Sequence, residues 1–281
     1  MKPFLPTLYV AAVLCSHFPA NVAHAQAAQW PDPLPVCDDG AEWAPFTYYL
    51  RDSSGVSTQK VVGYSVEVLT RILEPLGKKA RIELLPWARC QLEVAMGQNF
   101  ALALNASPSP ERAERFLMSR PYYRTHHAYF YSRRHHPGGL NISDVSDLNQ
   151  YRVCGVHGYN YSDYKLLPHK LDTGAQDLTR VIAKLHMGRC DLGLEKWEIL
   201  VGTRNTGQNL LADPELVVHT LPGLPITQFH MLISRRYPEL AQTINKGLEN
   251  LEASGELAVI LTRYIPPPSA NQRPRFGKGA N

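Results

Sequence analysis

Two stretches of this chain read as the same unit, and that repeat restricts the fold more than any single residue does. In the first, Leu34-Pro35-Val36-Cys37 reads as a strand and Tyr64 to Leu76 as a helix. Val66, Leu69, Ile72 and Leu73 recur there at helical spacing, and Gly77 ends the run. Lys79 to Leu85 follows as a strand, Trp87 to Met96 as a helix closed by Gly97, and Phe100 to Leu104 as a short apolar strand. In the second, Tyr151 to Val156 reads as a strand and Gly158-Tyr159-Asn160-Tyr161 as the opening of a helix. Thr173 to Met187 contains a further helix, ended by Gly188, and Cys190 to Leu194 is a strand. Strands alternating with helices make a mostly parallel sheet with helices on its faces. Two further strands, His127 to Arg134 and Thr227 to Ser234, join the units. The expectation is an α/β clamshell of two lobes, each a mixed, mostly parallel sheet with flanking helices, connected by a two-strand hinge. Lobe 1 takes residues 30–132 plus 230–265, including the amphipathic helix Pro238 to Ala253 and a helix from Gly255. Lobe 2 takes residues 133–229. In open α/β sheets ligands lie at the carboxyl ends of the strands, which here means the cleft between lobes.

The ends of the chain carry different signals. Lys2, the apolar run Phe4 to Pro19 and Ala23-His24-Ala25 have the form of a secretory signal peptide over residues 1–25. The chain from about Gln26 onward is then expected in the periplasm. No later stretch has the ~20 continuous apolar residues of a membrane span. Residues 266–281 are rich in Pro, Gly and Arg and read as a flexible tail. A net charge of +4 over 281 residues argues against a nucleic-acid partner. Four cysteines follow the signal peptide: Cys37, Cys90, Cys154 and Cys190. An even number in an exported chain predicts two disulfides. Pairing between neighbouring elements of one lobe gives Cys37 with Cys90 and Cys154 with Cys190. No close C-x-x-C spacing supports zinc, and the adjacent pairs His126-His127 and His135-His136 do not converge. No metal, cofactor or catalytic residue is expected.

The stretch from Asn105 to Tyr123 concentrates the binding chemistry. It follows the strand Phe100 to Leu104 and holds Ser107, Ser109 as a helix cap, and three arginines, Arg112, Arg115 and Arg120. Small polar residues, backbone N–H groups and a guanidinium at a strand end suit an anion.

Four motifs in order make the chain similar to the bacterial extracellular solute-binding proteins of family 3. They are Trp43-Ala44-Pro45-Phe46 with Gly63-Tyr64-Ser65-Val66-Glu67-Val68; Pro86-Trp87-Ala88-Arg89-Cys90; Ser109-Pro110-Glu111-Arg112 through Ser119-Arg120-Pro121-Tyr122-Tyr123; and Gly188-Arg189-Cys190-Asp191. The resemblance implies the type II periplasmic-binding fold and a monomer that captures a small polar, carboxylate-bearing solute for an ABC permease or a membrane sensor. It places Arg112 on the solute carboxylate, with Asn105 and Ser107 beside it and Trp43, Phe46 and Trp87 as aromatic walls. Asn160 and Tyr161 would close over the same carboxylate from lobe 2. Family members hold the solute ammonium with an Asp shortly after the last motif; this chain has Lys196 there, with Glu195 one residue earlier. Glu195 is the expected substitute, a second solute anion meeting Lys196 is the alternative, and Asp38, Asp39 and Glu42 are further carboxylates within reach of a cationic group. The runner-up function is a periplasmic enzyme on the same fold, resembling cyclohexadienyl (arogenate/prephenate) dehydratases, with Glu195 as general acid.

Overall fold

The computed structural model of the protein describes Met1 and residues 30–265. The expected signal peptide and tail lie outside the described residues. In chain order the elements are β1 (Leu34–Asp39), β2 (Tyr48–Arg51), β3 (Ser57–Val62), α1 (Tyr64–Leu73), β4 (Ala80–Leu85), α2 (Trp87–Met96) and β5 (Leu102–Ala106). Then come α3 (Pro110–Arg115), β6 (Leu117–Met118), β7 (Tyr123–Thr125), β8 (His127–Ser132), β9 (Val153–Val156), β10 (Leu171–Ala175) and α4 (Leu178–His186). The chain closes with β11 (Leu192–Lys196), α5 (Trp197–Gly202), β12 (Leu216–Thr220), β13 (Thr227–Ile233), α6 (Pro238–Ala253) and α7 (Glu256–Tyr264).

One sheet has the order β4-β1-β5-β13-β6, with β7 pairing β13, and the other has the order β10-β9-β11-β8-β12. β1 pairs in parallel with β4 and β5, and β9 in parallel with β10 and β11. Antiparallel pairs complete both sheets, so each is mixed. β1 is buried along its whole length because both of its faces are covered. On one face Val68, Leu69 and Ile72 of α1 meet Leu240, Ile244 and Leu248 of α6. On the other, Trp87, Cys90 and Val94 of α2 pack with Phe100 and Phe116. The second sheet is likewise two-sided, with Val181, Ile182 and Leu185 of α4 on one face and Tyr129, Tyr131, Leu148 and Tyr164 on the other.

The chain crosses between sheets twice, and the crossings run antiparallel. β7 pairs β13 on the first-sheet side, and β8 pairs β12 on the second-sheet side. Sheet membership moves the expected lobe bounds. Residues 127–132 belong with the second sheet because β8 pairs both β11 and β12, and residues 227–229 belong with the first because they open β13. The disulfides lie within lobes: Cys37–Cys90 ties β1 to α2, and Cys154–Cys190 ties β9 to the turn before β11.

The expected helix after Gly158 does not form. A single 3-10 turn, Ser162–Tyr164, stands there and stops at Lys165, whose φ of 48° is left-handed. The hairpin β2–β3, the strand β12 and the helix α5 were not expected. Helix α5 brings Gly202 against lobe 1, where an added Cβ would sit 2.2 Å from the Ala44 carbonyl oxygen. Among the described residues no helix is long and apolar enough to cross a membrane.

Candidate functional site

The carboxyl ends of β1, β5 and β11 converge on a cavity of ≈ 40 Å³ between the sheets, room for about three waters. From lobe 1 its wall takes Trp43, Trp87, Asn105, Ser107 and Arg112. From lobe 2 it takes Asn160, Tyr161 and Glu195. Eight of the nine residues expected at a binding site therefore meet in one place. Phe46 does not: it is fully buried in the lobe 1 core, stacked on Tyr123 with ring centroids 3.8 Å apart. The aromatic loop turns between Trp43 and Phe46, so the two rings face different surroundings.

Arg112 sits in α3, whose first turn is capped by Ser109 Oγ accepting from the Arg112 N–H at 3.2 Å. Its side chain turns back under the helix. Nε donates to Gln91 Oε1 at 3.1 Å, and Nη1 donates to the Ser107 carbonyl at 2.8 Å and to Ser107 Oγ at 3.1 Å. The guanidinium lies over the Trp87 ring, 5.6 Å from its centroid. These contacts fix its plane but bring no carboxylate to it, and Nη2 has no protein partner among the described residues. Burial lowers its pKa to about 10, so the group stays charged at neutral pH. Arg115 and Arg120 instead pair at the surface with Glu111 and Glu252.

Asn105 is a hub rather than an open donor. Its φ of 60° is left-handed, a conformation Asn tolerates better than most residues. Its Nδ2 donates to Asp38 Oδ2 and, at 2.7 Å, to Thr47 Oγ1. Its Oδ1 accepts from Ser65 Oγ at 2.5 Å and from Tyr123 OH at 3.0 Å. Tyr123 OH in turn accepts from Trp43 Nε1 at 3.1 Å, so the stacking ring is anchored to the same network.

Lobe 2 reaches across. Tyr159 OH donates to Asp39 Oδ2 at 2.6 Å, and its ring meets Trp43 edge-on at 5.2 Å between centroids. Asn160 Nδ2 donates to the Pro108 carbonyl at 2.9 Å. The lobes are thus closed on one another. With no helix after Gly158, side chains rather than helix N–H groups make this closure.

The cavity also holds Lys196, Asp38 and Asp39, which the sequence offered as alternatives for the far end of the solute, together with Tyr159, Tyr164 and Phe229. The acidic pair was visible as a strand end followed by Gly40, the position where sheets of this kind bind ligands. Burial raises the Asp38 carboxyl to about 7, although Thr47 and Asn105 hydrogen-bond it. Burial likewise raises Asp39, against its bonds from Tyr159 and Ala41. It also raises Glu195 and lowers Lys196. Lys196 Nζ contacts His127 Nδ1 at 3.0 Å and donates to Thr227 Oγ1 at 2.9 Å. Burial and that neighbouring ammonium push His127 down to about 3, so it is neutral. As for metals, Cys154, Asp172 and Cys190 form a cluster of ligand-type atoms, but both thiols are in the disulfide.

A family model described as bacterial extracellular solute-binding proteins, family 3, matches residues 37–267. A Haemophilus influenzae protein named as a probable amino-acid ABC transporter-binding protein is 29% identical over 144 residues. That match spans 51% of this chain and 49% of the relative, about half of each. Among solved structures, an amino acid ABC transporter substrate-binding protein from Streptococcus pneumoniae bound to L-arginine is similar with a TM-score of 0.67 at 21% identity. The likeness covers 82% of this chain and 93% of that one. An ancestral amino acid-binding protein, described as a precursor of cyclohexadienyl dehydratase, has a TM-score of 0.63 at 18% identity over 82% of this chain and 94% of its own. Both structural likenesses bear on the fold alone.

Proposed function

From the premise that the chain belongs to the bacterial extracellular solute-binding proteins of family 3, we propose that it is a periplasmic receptor. It captures a small carboxylate-bearing solute, an amino acid or a related molecule, and presents it to an ABC permease or a membrane sensor. The signal-peptide pattern over residues 1–25 supports export. The observation that carries the reading is Arg112. A buried guanidinium is held flat by Gln91, Ser107 and Trp87, faces a cavity between two lobes, and makes no ion pair with a carboxylate among the described residues. A solute carboxylate is the group that completes it, as a charge-assisted and preferably bidentate pair. Contacts from both lobes to one solute stabilise the closed form without any chemical step.

The dehydratase reading keeps one supporting feature, the raised pKa of the Glu195 carboxyl, which suits a general acid. Thermal-shift measurements over amino acids, amines and organic acids separate the two. A receptor gives a melting temperature that rises with ligand concentration and saturates. Turnover of prephenate or arogenate to phenylpyruvate or phenylalanine supports the enzyme instead. A flat response to the whole panel, with no turnover, contradicts both.

A further inference from the structure

Lys196 closes β11, is 7% exposed, and lines the same small cavity as Arg112. Its nitrogen is held on two sides. It meets His127 Nδ1 at 3.0 Å and donates to Thr227 Oγ1 at 2.9 Å. Its third position has no hydrogen-bond partner, and it makes no ion pair with a carboxylate, among the described residues. A buried ammonium without a counter-ion costs free energy, which favours the neutral amine. A neutral amine that gives one N–H to His127 and the other to Thr227 keeps its lone pair free. That is the arrangement of a nucleophile.

The titratable groups around the nitrogen agree. Burial lowers the Lys196 amine against the pull of Glu195, Asp163 and Glu198. Burial also raises the Glu195 carboxyl. His127, in contact with the same nitrogen, is neutral. Glu195 Oε1 accepts from the Lys196 backbone N–H at 2.7 Å, while Oε2 is buried without a partner. An amine, a carboxyl that holds its proton and a guanidinium suited to a carboxylate thus line one cavity.

We propose that Lys196 is a nucleophile that captures a short oxo acid, an aldehyde or ketone bearing a carboxylate, as a reversible iminium in the closed cleft. This rests on the reading that Arg112 holds the solute carboxylate. The Nζ lone pair adds to the carbonyl carbon, a C–N bond forming as the C–O π bond breaks, and a nitrogen proton passes to that oxygen. The nitrogen then expels the oxygen as water, the second proton coming from the Glu195 carboxyl. The products are water, an iminium cation at Nζ and the Glu195 carboxylate, so atoms and charge balance and no oxidant or reductant enters. Water reverses the step and releases the solute. A cavity of ≈ 40 Å³ restricts the solute to the shortest oxo acids.

The test is reductive trapping at neutral pH. The wild type is incubated with glyoxylate, pyruvate or acetaldehyde and reduced with sodium cyanoborohydride, and adducts are read by intact mass and peptide mapping. Lys196→Arg and Arg112→Ala are treated alike, each checked for folding by its melting temperature. The expected result with glyoxylate or pyruvate is a single adduct on Lys196, ahead of the exposed Lys60, Lys165 and Lys246. It is lost in Lys196→Arg. It falls by at least about tenfold in Arg112→Ala and with acetaldehyde, which has no carboxylate for the guanidinium. The wild-type map decides by itself if Lys196→Arg fails to fold. Labelling spread over the exposed lysines, or unchanged in Lys196→Arg, overturns the proposal and leaves the Arg112 reading standing. Trapping at Lys196 that is indifferent to both Arg112 and the carboxylate of the probe overturns it as well, and takes the carboxylate reading with it.

Discussion

The two walls of the cleft are built differently. The lobe 1 wall is a hydrogen-bond network: Asn105 ties Asp38, Thr47, Ser65 and Tyr123 together, and Tyr123 anchors Trp43. Arg112 is clamped to Gln91 and Ser107. The lobe 2 wall is carried by a loop and a strand end. Tyr159 and Asn160 reach over from a segment without regular structure, and the neighbouring pair Glu195–Lys196 has its ionisation shifted by burial. Side chains held by several buried hydrogen bonds are rigid, whereas a loop with few long-range bonds moves at low cost. On the proposed reading, lobe 1 presets the solute's carboxylate and aromatic contacts, and lobe 2 supplies the closing and charge-sensitive half.

The largest effect that tests this contrast is on stability. Asn105→Ala strands the Asp38, Thr47 and Ser65 groups and puts Ala at a left-handed φ. The expected loss is about 2–4 kcal/mol, read by urea unfolding, while Asn160→Ala is expected to lose well under half of that. Equal losses would erase the difference between walls.

Next is the pH dependence of the empty protein. The Asp38 carboxyl has a folded value of about 7 against 3.8 for the ordinary group. The folded state thus keeps a proton that the unfolded state has given up. The associated stability is full below the unfolded value and is lost as pH rises through about 7. Glu195, raised by burial, acts in the same direction. His127 opposes them only on the acid side, since its value drops from 6.5 to about 3 and its contribution is lost as pH falls below 6.5. Between pH 6.5 and 7.5 the melting temperature should therefore fall, with a slope of up to ~1.4 kcal/mol per pH unit for each retained proton. Asp38→Asn should flatten it. An unchanged slope in that variant removes Asp38 from the account.

The smallest effect concerns closure itself. Tyr159→Phe deletes the bond to Asp39 across the cleft, worth about 1 kcal/mol net. The empty variant should be more open, with a larger radius of gyration in small-angle scattering. An unchanged radius assigns closure to the remaining contacts, among them Ile199 in the lobe 1 core and Gly202 against Ala44.

Much of lobe 1 was legible because its chemistry is local. The repeated strand–helix pattern gives the layers, and Arg112 lies three residues from its cap and five from Ser107. Phe46 was misplaced because apolar character alone does not say whether a ring faces the core or the cleft. The lobe 2 wall was harder to read. Gly158 and the aromatic run after it suggest a helix start, yet the segment makes one 3-10 turn and acts through side chains. The partners that hold Lys196, His127 and Thr227, are 69 and 31 residues away. No spacing rule shows that a lysine in the position of an expected aspartate is held by a neutral histidine. The acidic pair Asp38-Asp39 was readable as a strand end, but its burial, and the Asp38 Oδ1 left without a partner, depend on the packing around it.

The central claim is that the cleft holds its solute by a carboxylate on Arg112. Calorimetric titration of the wild type and Arg112→Ala with the amino acid that gives the largest thermal shift tests it most directly. The account predicts a loss of about 2–5 kcal/mol of binding free energy in a variant that still melts cooperatively. Near-native affinity in Arg112→Ala would contradict it.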